Sequence, residues 1–330
     1  MVDFTVAIPT YNGEERLPEV LNKLKSQIIP HNLSWEVIVV DNRSTDNTEG
    51  VVRDYQTHWL EDCSLRYAFE PRAGAAFARQ HAVEIAQGKY IGFLDDDNLP
   101  ASNWLSEAYA FGGAHPKVGA FGSEIQGLFE NEDKPYVPPD YIPHFYSVLG
   151  VIKRGSKARR YEPAQKILPP GAGLAVRRDV WKEAVPQPLF LNHTNKNEGL
   201  ASEDLEAVFY IQKAGWEVWH NPQMQIQHKI PKDRCEKEYL LSLVRCIGLS
   251  RHHLRMIRLQ PWQRPFFTQA YLGNDLYKFL RHLLQHGSAK EEDIVTACDR
   301  ALLGNSLISP FFLWRKRYRD WLAQNDKKND

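Results

Sequence analysis

The sequence predicts an α/β protein with a Rossmann-like, mostly parallel sheet flanked by helices and a helical C-terminal extension. Three observations predict it. Apolar runs at residues 4–8, 35–40 and 90–94 lack the alternation of half-buried strands, as expected where both faces of a parallel sheet are covered. Helix-spaced segments separate such runs, so four strands alternate with three helices within the first 94 residues. Beyond residue 235 the apolar spacing becomes helical.

The first strand, Phe4-Thr5-Val6-Ala7-Ile8, stops at Pro9, and Glu14 to Gln27 then carries Leu17, Leu21 and Leu24 at helix spacing. The second, Trp35 to Val40, is followed by Ser44-Thr45-Asp46, which supplies capping residues for a helix from Thr48 to Tyr55. A third, Leu65 to Phe69, leads through Pro71-Arg72-Ala73-Gly74 into an Ala-rich helix from Ala75 to Ala86, closed by Gly88. The fourth, Tyr90 to Leu94, runs directly into Asp95-Asp96-Asp97. A helix resumes at Trp104 to Phe111, whereas Glu130 to Pro170 is rich in Pro, Tyr and charge and reads as long loops that shape a cleft or form a surface insertion. Gly171-Ala172-Gly173 starts a strand-like run, Trp181 opens a helix, and Gln225 to His228 is strand-like again. Three helices complete the chain: Tyr239 to Leu259, Thr268 to Leu284 and Glu291 to Leu303.

Composition narrows the class. Apolar residues are 43% and charged residues 25% of the 330, a balance that buries a core and excludes global disorder. Lys plus Arg and Asp plus Glu are equal at 41, so no overall field favours nucleic acid. The charge is unevenly spread: residues 232–330 hold 18 basic and 11 acidic residues, a difference of +7, which leaves −7 on the first 231. The four cysteines lack metal or redox spacing and read as reduced thiols of a cytosolic protein. No basic-apolar leader and no window of membrane-spanning length is expected, so any membrane contact is peripheral, on the inner face of the plasma membrane. The tail Phe311 to Tyr318 mixes aromatics with cations, which suits a membrane interface or a last helix packed on the body.

Ligands of open parallel sheets sit beyond the carboxyl ends of the strands, and here those exits are polar. They are Pro9-Thr10-Tyr11-Asn12, Asp41-Asn42, Pro71-Arg72 and Asp95-Asp96-Asp97. In an extended chain Asp95 and Asp97 face together while Asp96 turns aside. Two such carboxylates repel unless a cation lies between them; oxygen ligands favour Mg²⁺ or Mn²⁺, which keep positions open for a substrate diphosphate. Asp41 could accept a hydrogen bond from a nucleobase or ribose, or close an Asx turn before Ser44. Arg72 and Arg79 flank the Gly74 turn, where guanidinium groups and a helix N-terminus suit phosphate oxygens. Ser202-Glu203-Asp204 precedes the apolar face of Leu205, Val208, Phe209 and Ile211, and is either a helix cap or the seat of a general base, Asp204, for an attacking hydroxyl. His228 could join Asp97 in a metal site or be an ordinary structural histidine.

Ala7-Ile8-Pro9-Thr10-Tyr11-Asn12, Val39-Val40-Asp41-Asn42-Arg43-Ser44-Thr45-Asp46, Gly74 to Arg79, Gly88 to Asp97 and Glu203-Asp204 form an ordered set. Across roughly residues 3 to 230 it resembles the family 2 glycosyltransferases of the GT-A fold. It is most similar to bacterial enzymes of exopolysaccharide assembly, the cyanobacterial hormogonium type among them. The resemblance implies a catalytic domain over residues 1–235, with a nucleotide-binding half (1–100) and an acceptor-binding half (101–235), followed by a helical region, 236–330. It implies that Pro9, Thr10 and Asp41, with Tyr11 and Asn12 beside them, hold the nucleoside of a nucleotide-sugar donor, a UDP-sugar by preference. Asp95 and Asp97, with Asp96 between, form the DxD site for Mn²⁺ or Mg²⁺ and diphosphate, and His228 completes the metal shell. Arg72, Gly74 and Arg79 lie near the donor. Gly171, Ala172, Gly173 and Glu203 lie toward a saccharide or lipid-linked acceptor, with Asp204 as the base of an inverting transfer.

The Gln-x-x-Arg-Trp motif and membrane helices of processive members are absent from the sequence, which favours transfer of a single sugar. A sugar-phosphate nucleotidyltransferase would need a glycine-rich loop with a reactive Arg or Lys after the first strand, and a dinucleotide oxidoreductase would need G-x-G-x-x-G there. A non-catalytic nucleotide-sugar-binding scaffold would keep the fold without the carboxylates of turnover.

Overall fold

Strand β1 (Phe4–Thr10), buried at all seven residues, runs parallel to β2 (Trp35–Asp41) on one side and to β4 (Tyr90–Phe93) on the other, with β3 (Cys63–Phe69) parallel to β2 beyond. Parallel neighbours need crossovers. Helices α1 (Leu17–Lys25), α2 (Thr48–Thr57) and α3 (Ala75–Ile85) supply them. A computed structural model describes residues 2–130, 139–163, 167–192, 200–287 and 293–329.

Alternate side chains of the strands enter opposite cores, which is why the runs read as apolar without alternation. Phe4, Val6 and Ile8 meet Leu17, Leu21 and Leu24 of α1 and Trp104 of α4 (Trp104–Ala114). On the other face Ala7, Ile38 and Val40 meet Ala78, Ala82 and Val83 of α3. Trp181 of α5 (Arg178–Ala184) and Val208 and Ile211 of α6 (Glu203–Lys213) complete that layer.

The remaining strands are β5 (Asn98–Pro100), β6 (Val118–Phe129), β7 (Arg159–Arg160), β8 (Ala175–Arg177) and β9 (Glu217–Ile230). The sheet order is β3-β2-β1-β4-β8-β6-β9-β5, with β7 paired to β9. Strand β8 is antiparallel to both β4 and β6, β6 is parallel to β9, and β5 is antiparallel to β9. Three of the nine strands, β5, β6 and β7, escaped the sequence reading, which saw only the later part of β9. The expectation that Asp95 to Asp97 continue a strand is also corrected. They occupy the turn between β4 and β5, closed by Asn98, whose N–H donates to Asp95 O and whose Oδ1 accepts from Asp95 N, both at 3.0 Å.

The stretch from Glu130 to Pro170 carries more structure than loops alone. It contains a 3₁₀ segment at Pro139–Phe145, a bridge from Ile152 to Ile125, and β7, while residues 131–138 and 164–166 lie outside the described set. Helices α7 (Lys237–Ile257), α8 (Arg264–His286) and α9 (Ile294–Asn329) follow. The predicted start of the last helix at Glu291 falls outside the described residues. Its predicted end at Leu303 is wrong: α9 continues through Pro310 and takes in the aromatic tail. Leu240, Val244, Ile294 and Cys298 pack with Phe145, Leu149, Val151 and Ile230, which seats α7 and α9 against the far edge of the sheet. All four cysteines are buried and unpaired. Among the described residues no helix is long and apolar enough to cross a membrane.

Candidate active site

The parallel registers end level, Thr10 beside Asp41 and Asp41 beside Phe69, so the polar exits of β1, β2 and β4 share one crevice. The loops there are bound to one another. Asn12, at φ +51°, donates its N–H to Ser44 Oγ at 2.9 Å and accepts from Thr45 N at 2.8 Å, and Gly13 N donates to Thr48 Oγ1 at 2.8 Å. Pro9 is buried beneath them and Tyr11 is exposed above. Asp41 closes the Asx turn, accepting Ser44 N at 2.8 Å, while its other oxygen accepts the Tyr67 hydroxyl at 2.8 Å. Burial and the neighbouring Asp41 carboxylate push the Tyr67 phenol well above its ordinary range.

Asn42 fastens the next loop. Its amide donates to Glu70 O and Arg72 O, and its carbonyl accepts Gly74 N at 2.6 Å. Gly74 stands at φ +127°, in the region that favours glycine. Asn192 holds the loop from the opposite side, donating to Ala73 O at 2.9 Å and accepting Ala76 N at 3.3 Å. Arg72 turns away from the aspartates: it pairs with Glu70 at 2.8 Å and lies over the Phe77 ring.

The three aspartates each meet a different arginine. Asp95 Oδ1 accepts from Arg79 at 2.9 Å, Asp96 accepts from Arg16 at 2.8 and 2.9 Å, and Asp97 Oδ2 accepts from Arg234 at 3.0 Å. Asp96 also accepts the Thr10 hydroxyl. Burial raises its pKa against the pull of Arg16 and Thr10. Asp97 is buried too, yet hydrogen bonding from His228 and the charges of His228 and Arg234 outweigh desolvation and hold its carboxyl below the ordinary range. Asn98 Nδ2 donates to its second oxygen at 2.9 Å.

His228, on β9, brings Nε2 to 3.5 Å from Asp97 Oδ2, and Arg234 Nη1 lies 3.1 Å from the same nitrogen. The guanidinium of Arg234 thus bridges the two candidate ligands, where a positive charge is already accommodated. His228 Nδ1 is buried and has no hydrogen-bond partner among the described residues. Among the described residues no group of three His, Cys, Asp or Glu side chains is gathered in a ligating arrangement: Asp95 turns to Arg79, and Asp97 to His228 and Arg234. The donor chemistry, carboxylate oxygens with one imidazole, fits a hard divalent cation.

Arg79 links this turn to α6. The buried side chain gives Nη2 to Asp95 and Nη1 to Glu203 Oε1 at 2.7 Å. Desolvation would lower its pKa, but Asp95, Glu203 and Asp204 together raise it. Next to it, Asp204 accepts Gly171 N at 2.6 Å on Oδ2 and Leu205 N at 2.7 Å on Oδ1. Burial, then the neighbouring Glu203 charge, raise the Asp204 pKa to about 6, with Arg79 opposing them. A Cβ at Gly171 would lie 3.1 Å from Arg79 Nη2 and from Asp204 Cβ, so a side chain there would push both by a few tenths of an ångström. Ala172 is buried, and Gly173, at φ +66°, donates its N–H to Phe93 O at 2.8 Å, which ties this loop to the end of β4.

Sequence reasoning thus named residues that converge here from β1, β2, β4, α3, α6 and β9, with Arg72 the one turned elsewhere. It missed Arg16 and Arg234. Arg16 sits in Glu14-Glu15-Arg16 and Arg234 in Lys232-Asp233-Arg234, both of which read as ordinary solvated charge; the position of Arg234 six residues after His228 was the one available signal.

Comparisons with known proteins agree with this architecture. The mannosyltransferase PcManGT of Pyrobaculum calidifontis, solved with GDP-Man and Mn²⁺, superposes with a TM-score of 0.59 at 22% identity, covering 95% of this chain and 87% of that one. A putative teichuronic acid biosynthesis glycosyltransferase of Bacillus subtilis, TuaG, is 35% identical over 107 residues, 32% of this chain and 40% of the relative. The UDP-Glc:alpha-D-GlcNAc-diphosphoundecaprenol beta-1,3-glucosyltransferase WfgD of Escherichia coli is 33% identical over 107 residues, with the same shares. The match therefore spans less than half the length of either relative. The model of the family described as Glycosyl transferase family 2 matches residues 5–179, just over half of the 330. The chain belongs to glycosyl transferase family 2.

Proposed function

We propose that the protein transfers a single sugar, with inversion, from a nucleotide-sugar to a hydroxyl of a saccharide or lipid-linked saccharide in bacterial surface-polysaccharide assembly. The observation that carries this reading is the Arg79 fork. It joins Asp95, in the turn suited to a diphosphate, to Glu203, beside a carboxyl whose pKa is raised to about 6.

Thr10, Tyr11 and Asn12, with Pro9 beneath and Asp41 alongside, line the nucleoside end of the crevice. Asp95 and Asp97, with His228 beside Asp97, would hold Mn²⁺ or Mg²⁺. Such an ion supplies positive charge for the departing diphosphate. On the far side of the anomeric carbon, the acceptor hydroxyl is positioned by the loop of Gly171, Ala172 and Gly173. Asp204 takes the hydroxyl proton as the acceptor oxygen forms its bond to that carbon, and the bond from the carbon to the phosphate oxygen breaks. The nucleoside diphosphate leaves with the electron pair of that bond. Attack opposite the leaving group inverts the centre.

The name of the E. coli relative, with its UDP-Glc donor and diphosphoundecaprenol-linked acceptor, supports a UDP-sugar and a lipid-linked acceptor. The GDP-Man bound by PcManGT keeps the guanosine alternative in the test. A panel of nucleotide-sugars incubated with Mn²⁺ and diphosphoprenyl-linked saccharides decides the matter. Release of nucleoside diphosphate, with the product's anomeric configuration opposite to the donor's by NMR, is the expected result. Release of pyrophosphate from a nucleoside triphosphate and a sugar 1-phosphate, in a parallel incubation, would assign a nucleotidyltransferase instead, and binding without turnover across the panel would assign a scaffold.

A further inference from the structure

The α8–α9 hairpin carries apolar surface that the sheet does not use. Helix α8 touches the rest of the protein along a single stripe at residues 268, 271, 272, 275, 279, 282 and 283 and is exposed elsewhere. Directly opposite that stripe, Phe266, Ala270, Gly273, Tyr277, Leu280 and Leu284 repeat at intervals of four and three residues, and Leu284 is 87% exposed. Antiparallel to it, the end of α9 presents Trp314, Tyr318 and Trp321 as an exposed ladder, neighbouring rings stacked with centroids 6.1 Å apart. Phe311 and Trp314 share a groove with Gln269 and Leu272, which sets the end of α9 beside the N-terminal part of α8. Trp262, 71% exposed, marks its corner.

The charge around this surface is mainly basic, with Asp320 the acid beside the aromatic ladder and Glu291, Glu292 and Asp293 between the two helices in the sequence. Between Arg264 and Gly287 the only acid is Asp275, buried and paired with Arg255, whereas Arg264, Lys278 and Arg281 are exposed. From Asn305 to Arg319 there is no acid, and Arg315 and Arg319 flank the aromatic ladder in the open. From these features we infer that the α8–α9 hairpin is a membrane-docking surface that lies in the interface plane of an anionic lipid bilayer. Apolar side chains of α8 enter the acyl boundary, the Trp and Tyr rings sit at headgroup level, and the arginines meet lipid phosphates. A second copy of the chain is the competing occupant, because four-three spacing also suits helix pairing. A two-fold interface sets a patch against itself, however, and here that opposes basic rim to basic rim. An anionic surface complements the same rim.

The inference does not depend on the transferase reading, since docking needs no turnover. Flotation of the full chain with liposomes of phosphatidylcholine alone, and of equal parts phosphatidylcholine and phosphatidylglycerol, tests it. Binding is expected to the anionic liposomes and to weaken as salt is raised. Arg315→Glu/Arg319→Glu should lower it by about thirtyfold or more, at roughly fivefold for each arginine lost. Leu280→Glu/Leu284→Glu, on the exposed face of α8, should lower it independently. Circular dichroism and thermal melts matching the wild type show that both variants fold. Equal flotation of wild type and variants, or no flotation of the wild type, overturns the inference. So does a dimer in analytical ultracentrifugation that Leu280→Glu/Leu284→Glu dissociates while flotation is absent.

Discussion

The backbone N–H of Gly171 and the Oδ2 of Asp204 stand 2.6 Å apart, which fixes one carboxylate oxygen of the proposed base while Leu205 N holds the other. Both bonds come from backbone N–H groups, and the amide of Asp204→Asn keeps one of them through its oxygen, while its nitrogen, a donor, gives up the other. Asp204→Asn is expected to keep the fold and the donor affinity and to lower transfer by about 10²–10⁴-fold, the range for a positioned general base. Stopped assays of product, alongside donor titration, check it. Transfer near the wild-type rate would remove Asp204 from the mechanism.

The acid limb of the pH profile should report the same carboxyl. A base acts when deprotonated, and the Asp204 pKa is raised to about 6. The kcat/KM for transfer is expected to be flat above that pH and to fall about tenfold per unit below it. An inflection near the ordinary aspartate value would mean that another group limits the rate.

Arg79 tunes that limb. Its charge favours the ionised form of Asp204, so Arg79→Gln should move the inflection to higher pH, and it should lower transfer by loosening Asp95 and Glu203 together. Thermal melts establish that the variant folds. An unmoved inflection in a folded variant would separate Arg79 from the base.

Asp97→Ala is expected to abolish the Mn²⁺ dependence of donor binding. In thermal-shift titrations, Mn²⁺ should raise the wild-type melting temperature with nucleotide-sugar far more than that of the variant. A Mn²⁺ response equal in the two proteins would take Asp97 out of the metal site. Chelation by EDTA should bring the wild type down to the variant's level.

Arg16 has a structural part to play. Its loss strands the buried Asp96 carboxylate with only the Thr10 hydroxyl, and Arg16→Ala should cost about 1–3 kcal/mol in denaturant unfolding. Adding Asp96→Asn should recover part of it. A single-variant midpoint equal to the wild type's would show that the pair contributes nothing.

The parallel half of the fold was legible because burial on both faces leaves an unbroken apolar run and the crossovers are punctuated by Pro71, Gly74 and Gly88. The rest of the sheet was less so. Strand β6 has glycines at 119, 122 and 127 that erase its pattern, β5 has three residues and β7 two, and β9 carries Pro222 in its middle. The location of the aspartates could be read from the strand before them, but their directions could not, because Asn98 bends the chain into a turn that no periodicity marks. Arg16 and Arg234 were invisible for a related reason: their meaning lies in contacts across the sheet, and their local sequence is that of any charged surface.

Gly74 and Asn192 carry a consequence for sequence variation. A side chain at 74 would have to adopt φ +127° and also displace the Asn192 amide from Ala73 and Ala76. Either change alone leaves the α3 entry loop without one of its supports. Positions 74 and 192, remote in the chain, are therefore expected to vary together or not at all, and such a covarying pair would reveal this loop in relatives whose overall similarity has faded.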